Sequence, residues 1–131
     1  MPTRVLLVED NPLDQLLVST VLRKSGYEIE TVGDGQAALD RAVAESSFDV
    51  FLVDYELPSL NGIQVTAGLR NLGFRQPILA FSAGSEADLI ERWRDAGCCD
   101  FLAKPYLPKQ LREFVDHYLS RRRTSRAMVF A

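Results

Sequence analysis

The stretch VLLVEDNP, at residues 5–12, decides how this chain folds. Its four apolar residues predict a buried strand, because strands covered on both faces read as continuous apolar runs. Two acids, Glu9 and Asp10, follow at once. Asn11 and Pro12 then predict the start of a helix, since asparagine is a favoured N-cap and proline a favoured first helical residue. One short stretch therefore contains a central strand, two carboxylates at its end, and a helix.

The same alternation of strand and helix continues along the chain. Short apolar or alternating runs predict further strands at residues 28–32, 48–53, 77–83 and 101–103. Between them lie helical patterns; residues 85–88 have the spacing of a capping box before the fourth helix, and Pro108 begins the fifth. Five strands alternating with five helices predict a parallel sheet covered on both faces. The first, third and fourth runs are the most apolar and belong in the centre, which predicts the order 2-1-3-4-5 of a flavodoxin-like, doubly wound α/β fold.

The composition excludes several classes of protein. With 131 residues, 47% of them hydrophobic and 25% charged, the chain has the profile of one globular domain rather than a disordered or fibrous protein. No apolar run approaches the roughly 18 residues that span a bilayer, so we expect no membrane insertion. The 15 Lys and Arg against 18 Asp and Glu leave no basic surplus for nucleic acid, so we expect no direct DNA binding.

Cysteine usage favours a reducing, cytoplasmic setting. Cys98 and Cys99 are adjacent, form no disulfide framework and have no metal-binding spacing. We interpret both as small apolar residues at the start of a buried strand. The N-terminal residues also lack the pattern of a secretory signal.

Polar residues capable of chemistry follow four of the predicted strands. Glu9 and Asp10 follow the first, Asp54 the third, Ser82 the fourth and Lys104 the fifth. Taken singly, each has an ordinary alternative role as a helix-start acid, a turn residue or a surface lysine. In doubly wound sheets, however, ligands bind where the carboxyl ends of the strands meet, beside strands one and three. The five residues are therefore expected to converge on one edge.

Three carboxylates at one edge require compensation. Two like charges about 4 Å apart repel by roughly 4 kcal/mol at an effective dielectric constant of 20. A hard divalent cation such as Mg²⁺, which prefers oxygen ligands, is the natural counter-charge. Lys104 adds a fixed positive charge and Ser82 a hydroxyl, so the predicted edge is suited to hold an anion as well as a metal.

In this order and at these strand ends, the residues resemble the receiver domain of two-component response regulators. The resemblance covers about residues 4–120, which we take as a receiver domain within residues 1–120, with residues 121–131 as a flexible basic tail. The motifs are VEDN at 8–11, VDYELP at 53–58 with NG at 61–62, FSA at 81–83 and FLAKP at 101–105.

The resemblance implies a role for each site residue. Asp54 would take a phosphoryl group from a phosphohistidine on a histidine kinase or a histidine phosphotransfer protein. Glu9, Asp10, Asp54 and the backbone carbonyl of Glu56 would hold Mg²⁺, for which Mn²⁺ can substitute. Lys104 and Ser82 would bind the phosphoryl oxygens. Such a chain phosphorylates and dephosphorylates itself, and is not an enzyme that turns over a separate substrate.

The resemblance also implies a switch. Ser82 would move toward the phosphoryl group and Phe101 would turn inward, which would remodel the face formed by the fourth helix, fifth strand and fifth helix. A downstream protein would bind that face, and phosphorylation could also drive dimerisation through it. An ordinary core role for Phe101 stays open. We hypothesise that the Glu56 carboxylate modulates the lifetime of the phosphorylated state, with a solvated loop acid as the alternative.

Other functions are less well supported by the sequence. The arginine-rich residues 121–126 suit a solvated helix end better than a nucleic-acid contact. No output domain follows, so the chain would be a stand-alone receiver or one excised from a hybrid histidine kinase or larger regulator; a degenerate receiver that only binds partners is a third alternative. A phosphatase with an aspartyl intermediate would need an Asp-x-Asp motif at the first strand, and a flavin or nucleotide carrier would need a glycine-rich phosphate loop; neither motif is present.

Overall fold

Ten alternating elements make up the part of the chain that the structure describes. The computed structural model describes residues 2–83 and 87–130, with the side chains of residues 2–83 and 88–119. The elements are β1 Arg4–Val8, α1 Pro12–Lys24, β2 Glu28–Val32, α2 Gly35–Ala44, β3 Val50–Asp54, α3 Gly62–Asn71, β4 Ile78–Ser82, α4 Ala87–Ala96, β5 Asp100–Ala103 and α5 Pro108–Phe130. The predicted alternation of five strands and five helices is confirmed.

The five strands form one parallel sheet in the order β2-β1-β3-β4-β5, as predicted. Strands β1, β3 and β4 are buried almost throughout, whereas β2 and β5 at the edges are partly exposed. The register pairs Val8 with Val53, Asp54 with Phe81, and Ser82 with Ala103. Because these pairs lie at the strand ends, the carboxyl edge of the sheet is nearly level and its terminal residues are neighbours.

The sheet separates two apolar clusters, as side chains that alternate between the faces of a strand require. One cluster joins Val5, Leu7 and Leu52 to residues of α1 and α5, such as Leu22 and Leu111. The other cluster lies on the opposite face, against α2, α3 and α4. Its fully buried members include Leu6, Val8, Val53, Ala80 and Trp93.

Side-chain caps mark the starts of α1 and α2. The Oδ1 atom of Asn11 accepts hydrogen bonds from the backbone N–H groups of Leu13 (2.9 Å) and Asp14 (3.3 Å), which confirms the predicted start of α1. Asp34 caps α2 through the N–H of Ala37. The predicted capping box of α4 falls partly on residues 84–86, which lie outside the described residues.

Two details differ from the sequence expectation. Strand β3 begins at Val50 rather than at residue 48; Phe48 is buried by packing against Phe51, with ring centroids 6.3 Å apart, and not by pairing in the sheet. The expectation of two buried cysteines is wrong for Cys99, which is exposed, while Cys98 is half-buried. Cys99 directly precedes β5, which is an edge strand of the sheet, and an edge strand is less covered by neighbouring elements than a central strand.

The C-terminal residues bear on the predicted tail. The backbone of α5 is helical to Phe130. The side chains from residue 120 onward lie outside the described part of the chain, so the flexibility of residues 121–131 stays a prediction. Among the described residues, no helix combines the length and the apolar character that crossing a membrane requires.

Candidate functional site

Backbone hydrogen bonds hold the site residues at the carboxyl edge of the sheet. The N–H of Glu9 donates to the carbonyl of Val32 (3.0 Å), and that of Lys104 donates to the carbonyl of Ser82 (2.8 Å). The parallel pairing therefore continues one residue beyond β1 and β5. Because a slip of one residue would turn each side chain to the other face, this pairing determines which side chains enter the site.

Three carboxyl groups meet at this edge, as predicted. Glu9, Asp10 and Asp54 each offer a carboxyl oxygen, and these three atoms lie within 4.8 Å of one another. Glu9 is 2% exposed and Asp54 6%, while Asp10 is exposed. The group therefore reaches from the interior to the surface.

Lys104 supplies the opposing charge. Its Nζ atom lies 2.9 Å from Oδ1 of Asp54 and 3.7 Å from Oε2 of Glu9. Burial lowers the pKa of Lys104, but the hydrogen bond to Asp54 and the charges of Asp54, Glu9 and Asp14 outweigh it, so the pKa of Lys104 is raised. The ammonium is thus held in its charged form, beside a carboxylate that it neutralises.

In the metal-free site, the surroundings of Glu9 favour the protonated form of its carboxyl group. Burial raises the pKa of Glu9 most, and the hydrogen bond with Asp54 and the negative charge of Asp54 raise it further. The positive charge of Lys104 lowers it by less, so the pKa of Glu9 is raised to about 9. Among the described residues, no N–H or O–H group donates to the buried Oε1 atom of Glu9. A carboxylate oxygen buried without a donor is costly in its charged form, and a cation would supply the missing partner.

A cavity of about 220 Å³ opens beside Asp54. Its lining brings together four predicted site residues, which are Asp54, Glu56, Ser82 and Lys104. Ser82 is buried, and Glu56 is exposed at the margin. Phe101 is not brought into this lining: it lies opposite Ala80 in the sheet, half-buried against the cluster that contains Trp93.

The loop after Asp54 is held tightly against the site. The N–H of Gly62 donates to the carbonyl of Tyr55 at 2.8 Å, which folds the loop back on itself. A Cβ atom on Gly62 would overlap the carbonyl oxygen of Asp54 and the Cη2 atom of Trp93. The Trp93 ring also packs edge-on against Tyr55, with centroids 6.2 Å apart. Trp93 of α4 thus lies against the two ends of this loop, at Tyr55 and at Gly62.

Asp14 is a site residue that the sequence analysis missed. It lies in the first turn of α1, and its Oδ2 atom is 3.4 Å from Nζ of Lys104. A signal for it exists in the sequence: Asp14 lies in the first turn of the helix that begins directly after Glu9 and Asp10, which keeps it near the same edge of the sheet.

The donor set suits a small divalent cation. Mg²⁺ takes oxygen ligands, keeps several waters and uses one or two carboxylates. Glu9, Asp10 and Asp54 offer carboxyl oxygens only, and a donor-free oxygen of Glu9 is among them. These residues therefore fit the cation that the sequence predicted.

A doubly wound sheet with an acidic cluster, a lysine and a serine at its carboxyl edge defines a class of phosphate-handling α/β domain. Residues 5–116 match the family model of the response regulator receiver domain. The chain belongs to this family, the phosphoacceptor signalling domains of two-component systems. Receiver domains bind Mg²⁺ at an acidic pocket and interact with histidine kinases and downstream targets.

Individual relatives are similar over most of this chain. It is 34% identical over 129 residues to the transcriptional regulatory protein PdtaR of Mycobacterium tuberculosis, covering 98% of this chain and 62% of that protein. It is 33% identical over 124 residues to hybrid signal transduction histidine kinase I of Dictyostelium discoideum, covering 88% of this chain and 7% of that protein. The chain thus spans less than two-thirds of the length of either relative.

Solved structures give the same fold. The chemotaxis protein CheY4 of Vibrio cholerae superimposes with a TM-score of 0.85 at 28% identity, covering 90% of this chain and 99% of that one. The flavodoxin-like architecture predicted from the sequence is therefore confirmed both by strand order and by comparison.

Proposed function

We propose that this chain accepts a phosphoryl group on Asp54 from a phosphohistidine donor. The observation that carries the proposal is the 2.9 Å contact between Lys104 Nζ and Asp54 Oδ1, at a cavity that Ser82 also lines. Lys104 places a fixed ammonium beside the Asp54 carboxylate, and two further carboxylates that would bind a metal lie next to it. An anionic donor can therefore approach a carboxylate that would otherwise repel it.

The transfer is an in-line displacement at phosphorus. A carboxylate oxygen of Asp54 forms a bond to phosphorus while the bond from phosphorus to the donor histidine nitrogen breaks, and the imidazole leaves with that electron pair. Lys104 binds the phosphoryl oxygens, and the Ser82 hydroxyl donates to one of them. Glu9 and Asp10, with Asp54 and the carbonyl of Glu56, would hold Mg²⁺ or Mn²⁺. The cation, when bound, offsets the charge of the transferring group.

The phosphorylated state ends by hydrolysis. Water attacks phosphorus, inorganic phosphate leaves and the Asp54 carboxylate is restored, so the chain is its own substrate and turns over no other. We propose that Glu56 modulates this step, because its exposed carboxylate lines the cavity two residues after Asp54. Glu56→Asn should change the dephosphorylation rate, and an unchanged rate would leave Glu56 as a solvated loop acid.

The output would be a change of surface. Ser82 would move toward the phosphoryl group and Phe101 would turn inward, which remodels the face of α4, β5 and α5 for a downstream protein or a second copy. A histidine kinase or a histidine phosphotransfer protein would be the donor, in the cytoplasm, without direct DNA contact or membrane insertion. Size-exclusion chromatography with and without beryllofluoride tests the dimer.

A second function is favoured by one relative. The similarity to a segment of a hybrid histidine kinase supports a receiver that acts as a module within a longer protein. A degenerate receiver that only binds partners is the less supported alternative, because Glu9, Asp10, Asp54, Ser82 and Lys104 are all present at the strand ends.

Labelling with acetyl phosphate tests the proposal. In the presence of Mg²⁺, the chain should gain one phosphoryl group that hydroxylamine removes, as expected of an acyl phosphate. Asp54→Asn and chelation by EDTA should each abolish labelling, while Asp40→Asn, which removes an exposed acid of α2, should not. Labelling that persists in Asp54→Asn, or no labelling of the folded wild type, contradicts the proposed function.

A further inference from the structure

The ammonium of Lys104 is shared among three carboxyl groups that come from three different elements. Its Nζ atom lies 2.9 Å from Asp54, 3.4 Å from Asp14 and 3.7 Å from Glu9. The contacts with Asp54 and Asp14 are within hydrogen-bond distance, whereas the longer contact with Glu9 is an ion pair only. A phosphoryl group arriving at Asp54 must therefore take Lys104 from a partner that it already has.

Asp14 and Ser82 line different cavities that meet at Lys104. Lys104 lines two cavities: the cavity of about 220 Å³ with Asp54 and Ser82, and a larger one of about 510 Å³ with Asp14 and Tyr106. An ion pair with Asp14 draws the ammonium toward the larger cavity. A bond to phosphoryl oxygens draws it toward the smaller one.

The Asp14 carboxylate is not the N-cap of its own helix. The start of α1 is capped by Asn11, whose side chain accepts from the backbone N–H groups of Leu13 and Asp14. An acid in the first turn adds only about 0.3–1 kcal/mol through the helix dipole. The Asp14 carboxylate instead accepts a hydrogen bond from Lys104, 90 residues away in sequence, and its side chain also hydrogen-bonds to that of Glu9.

We propose that Asp14 is a positioning residue that competes with the phosphoryl group for Lys104, and so sets how readily Asp54 is phosphorylated. The inference rests on the proposed function and adds a residue to it. The Asp14 carboxylate stabilises the unphosphorylated arrangement by binding the ammonium. It opposes the phosphorylated arrangement, because Lys104 must give up this ion pair, wholly or in part, to bind the phosphoryl oxygens.

Four proteins test this competition: the wild type, Asp14→Asn, Asp14→Glu and Asp40→Asn. The measured quantity is the initial rate of Asp54 labelling over a range of acetyl phosphate concentrations at saturating Mg²⁺. Asp14→Asn keeps the size of the side chain but removes its charge, and should raise the rate at low acetyl phosphate by about two- to fivefold, the range expected for one partly exposed ion pair. Asp14→Glu should restore a rate near that of the wild type, and Asp40→Asn, which removes a charge elsewhere, should not change it.

A second background separates competition for Lys104 from a general effect of charge. In Lys104→Ala, labelling should be slower than in the wild type, and adding Asp14→Asn to that variant should not raise its rate, because the two changes act through one contact. An equal increase in both backgrounds would show that Asp14 acts only as a distant charge, and would overturn the inference.

The outcomes also distinguish the inference from the proposed function. If the wild type is labelled at Asp54 and Asp14→Asn is labelled at the same rate, the positioning role is wrong and the phosphoacceptor assignment stands. If the folded wild type takes no label at all, the proposed function fails and the role of Asp14 fails with it.

Discussion

Replacement of Gly62 by alanine should destabilise the fold more than any other single-methyl addition in α3. Gly62 is the first residue of α3, and its backbone is helical, so an alanine there is not strained by its backbone angles. The added Cβ would instead overlap the carbonyl oxygen of Asp54 and the Cη2 atom of Trp93, and would lie 2.9 Å from the carbonyl carbon of Asp54. Neither neighbour can yield easily: Asp54 ends a central strand, and Trp93 is fully buried.

The size of the effect follows from what must move. Overpacking a buried site costs about 1–3 kcal/mol, and this contact with backbone belongs at the upper end of that range. A shift of α3 that relieves the overlap also lengthens the 2.8 Å hydrogen bond from Gly62 to Tyr55, which contributes about 1 kcal/mol. We therefore expect a loss of about 3–4 kcal/mol in the free energy of unfolding.

Urea titration followed by far-UV circular dichroism measures this loss. With a urea m-value of about 2 kcal/mol per M, the midpoint should fall by about 1.5–2 M. Gly68→Ala is the matched control in the same helix: its Cβ would meet the end of the Leu39 side chain, 2.9 Å away, which can rotate. That variant should stay within about 1 kcal/mol of the wild type. Equal midpoints for the two variants would refute the steric argument.

Three further predictions concern the ends of the strands and helices. Asn61→Ala removes the capping box with Gln64 and should cost about 1 kcal/mol, whereas Asn71→Ala at the exposed far end of α3 should cost less than about 0.5 kcal/mol; equal losses in urea titrations would exclude capping as the cause. In EDTA, the free energy of unfolding should fall as pH rises from 4.5 toward 9, because folding raises the pKa of Glu9 from 4.5 to about 9 and the folded protein keeps a proton that the unfolded chain has lost. Glu9→Gln should flatten this dependence on pH. An unchanged slope in that variant would contradict the assignment of the raised pKa to Glu9. Asp10→Asn should reduce the rise in melting temperature that Mg²⁺ produces and alter metal-free stability by less than about 1 kcal/mol, since Asp10 is exposed; an undiminished rise would remove Asp10 from the ligand set.

The sheet and its functional edge could be predicted because both depend on short-range patterns. A continuous apolar run indicates a central strand, and the polar residue that ends the run is necessarily at the carboxyl edge. Asp54 illustrates this: it closes β3 and pairs with Phe81, so its approach to Glu9 follows from strand order alone. No knowledge of side-chain packing was needed to bring these residues together.

The remaining contacts depend on packing that no local pattern records. To predict the ion pair of Asp14 with Lys104, one must know how close α1 lies to the residue after β5 and how far the lysine side chain reaches. Phe48 extends the apolar run of β3, so the pattern could not distinguish burial by ring packing from burial by pairing. The exposure of Cys99 likewise depends on how far the edge strand β5 is covered.

The placement of Trp93 has an optical consequence. It is the single tryptophan of the chain, fully buried, with no hydrogen-bond partner for its Nε1 atom among the described residues. Its ring touches the position of Gly62 and packs on Tyr55, the residue after Asp54. An indole in such dry surroundings emits at short wavelength, and any movement of the loop after Asp54 that admits water will shift that emission to the red. The protein therefore contains its own fluorescent reporter, packed against the residue next to the site whose chemistry it would follow.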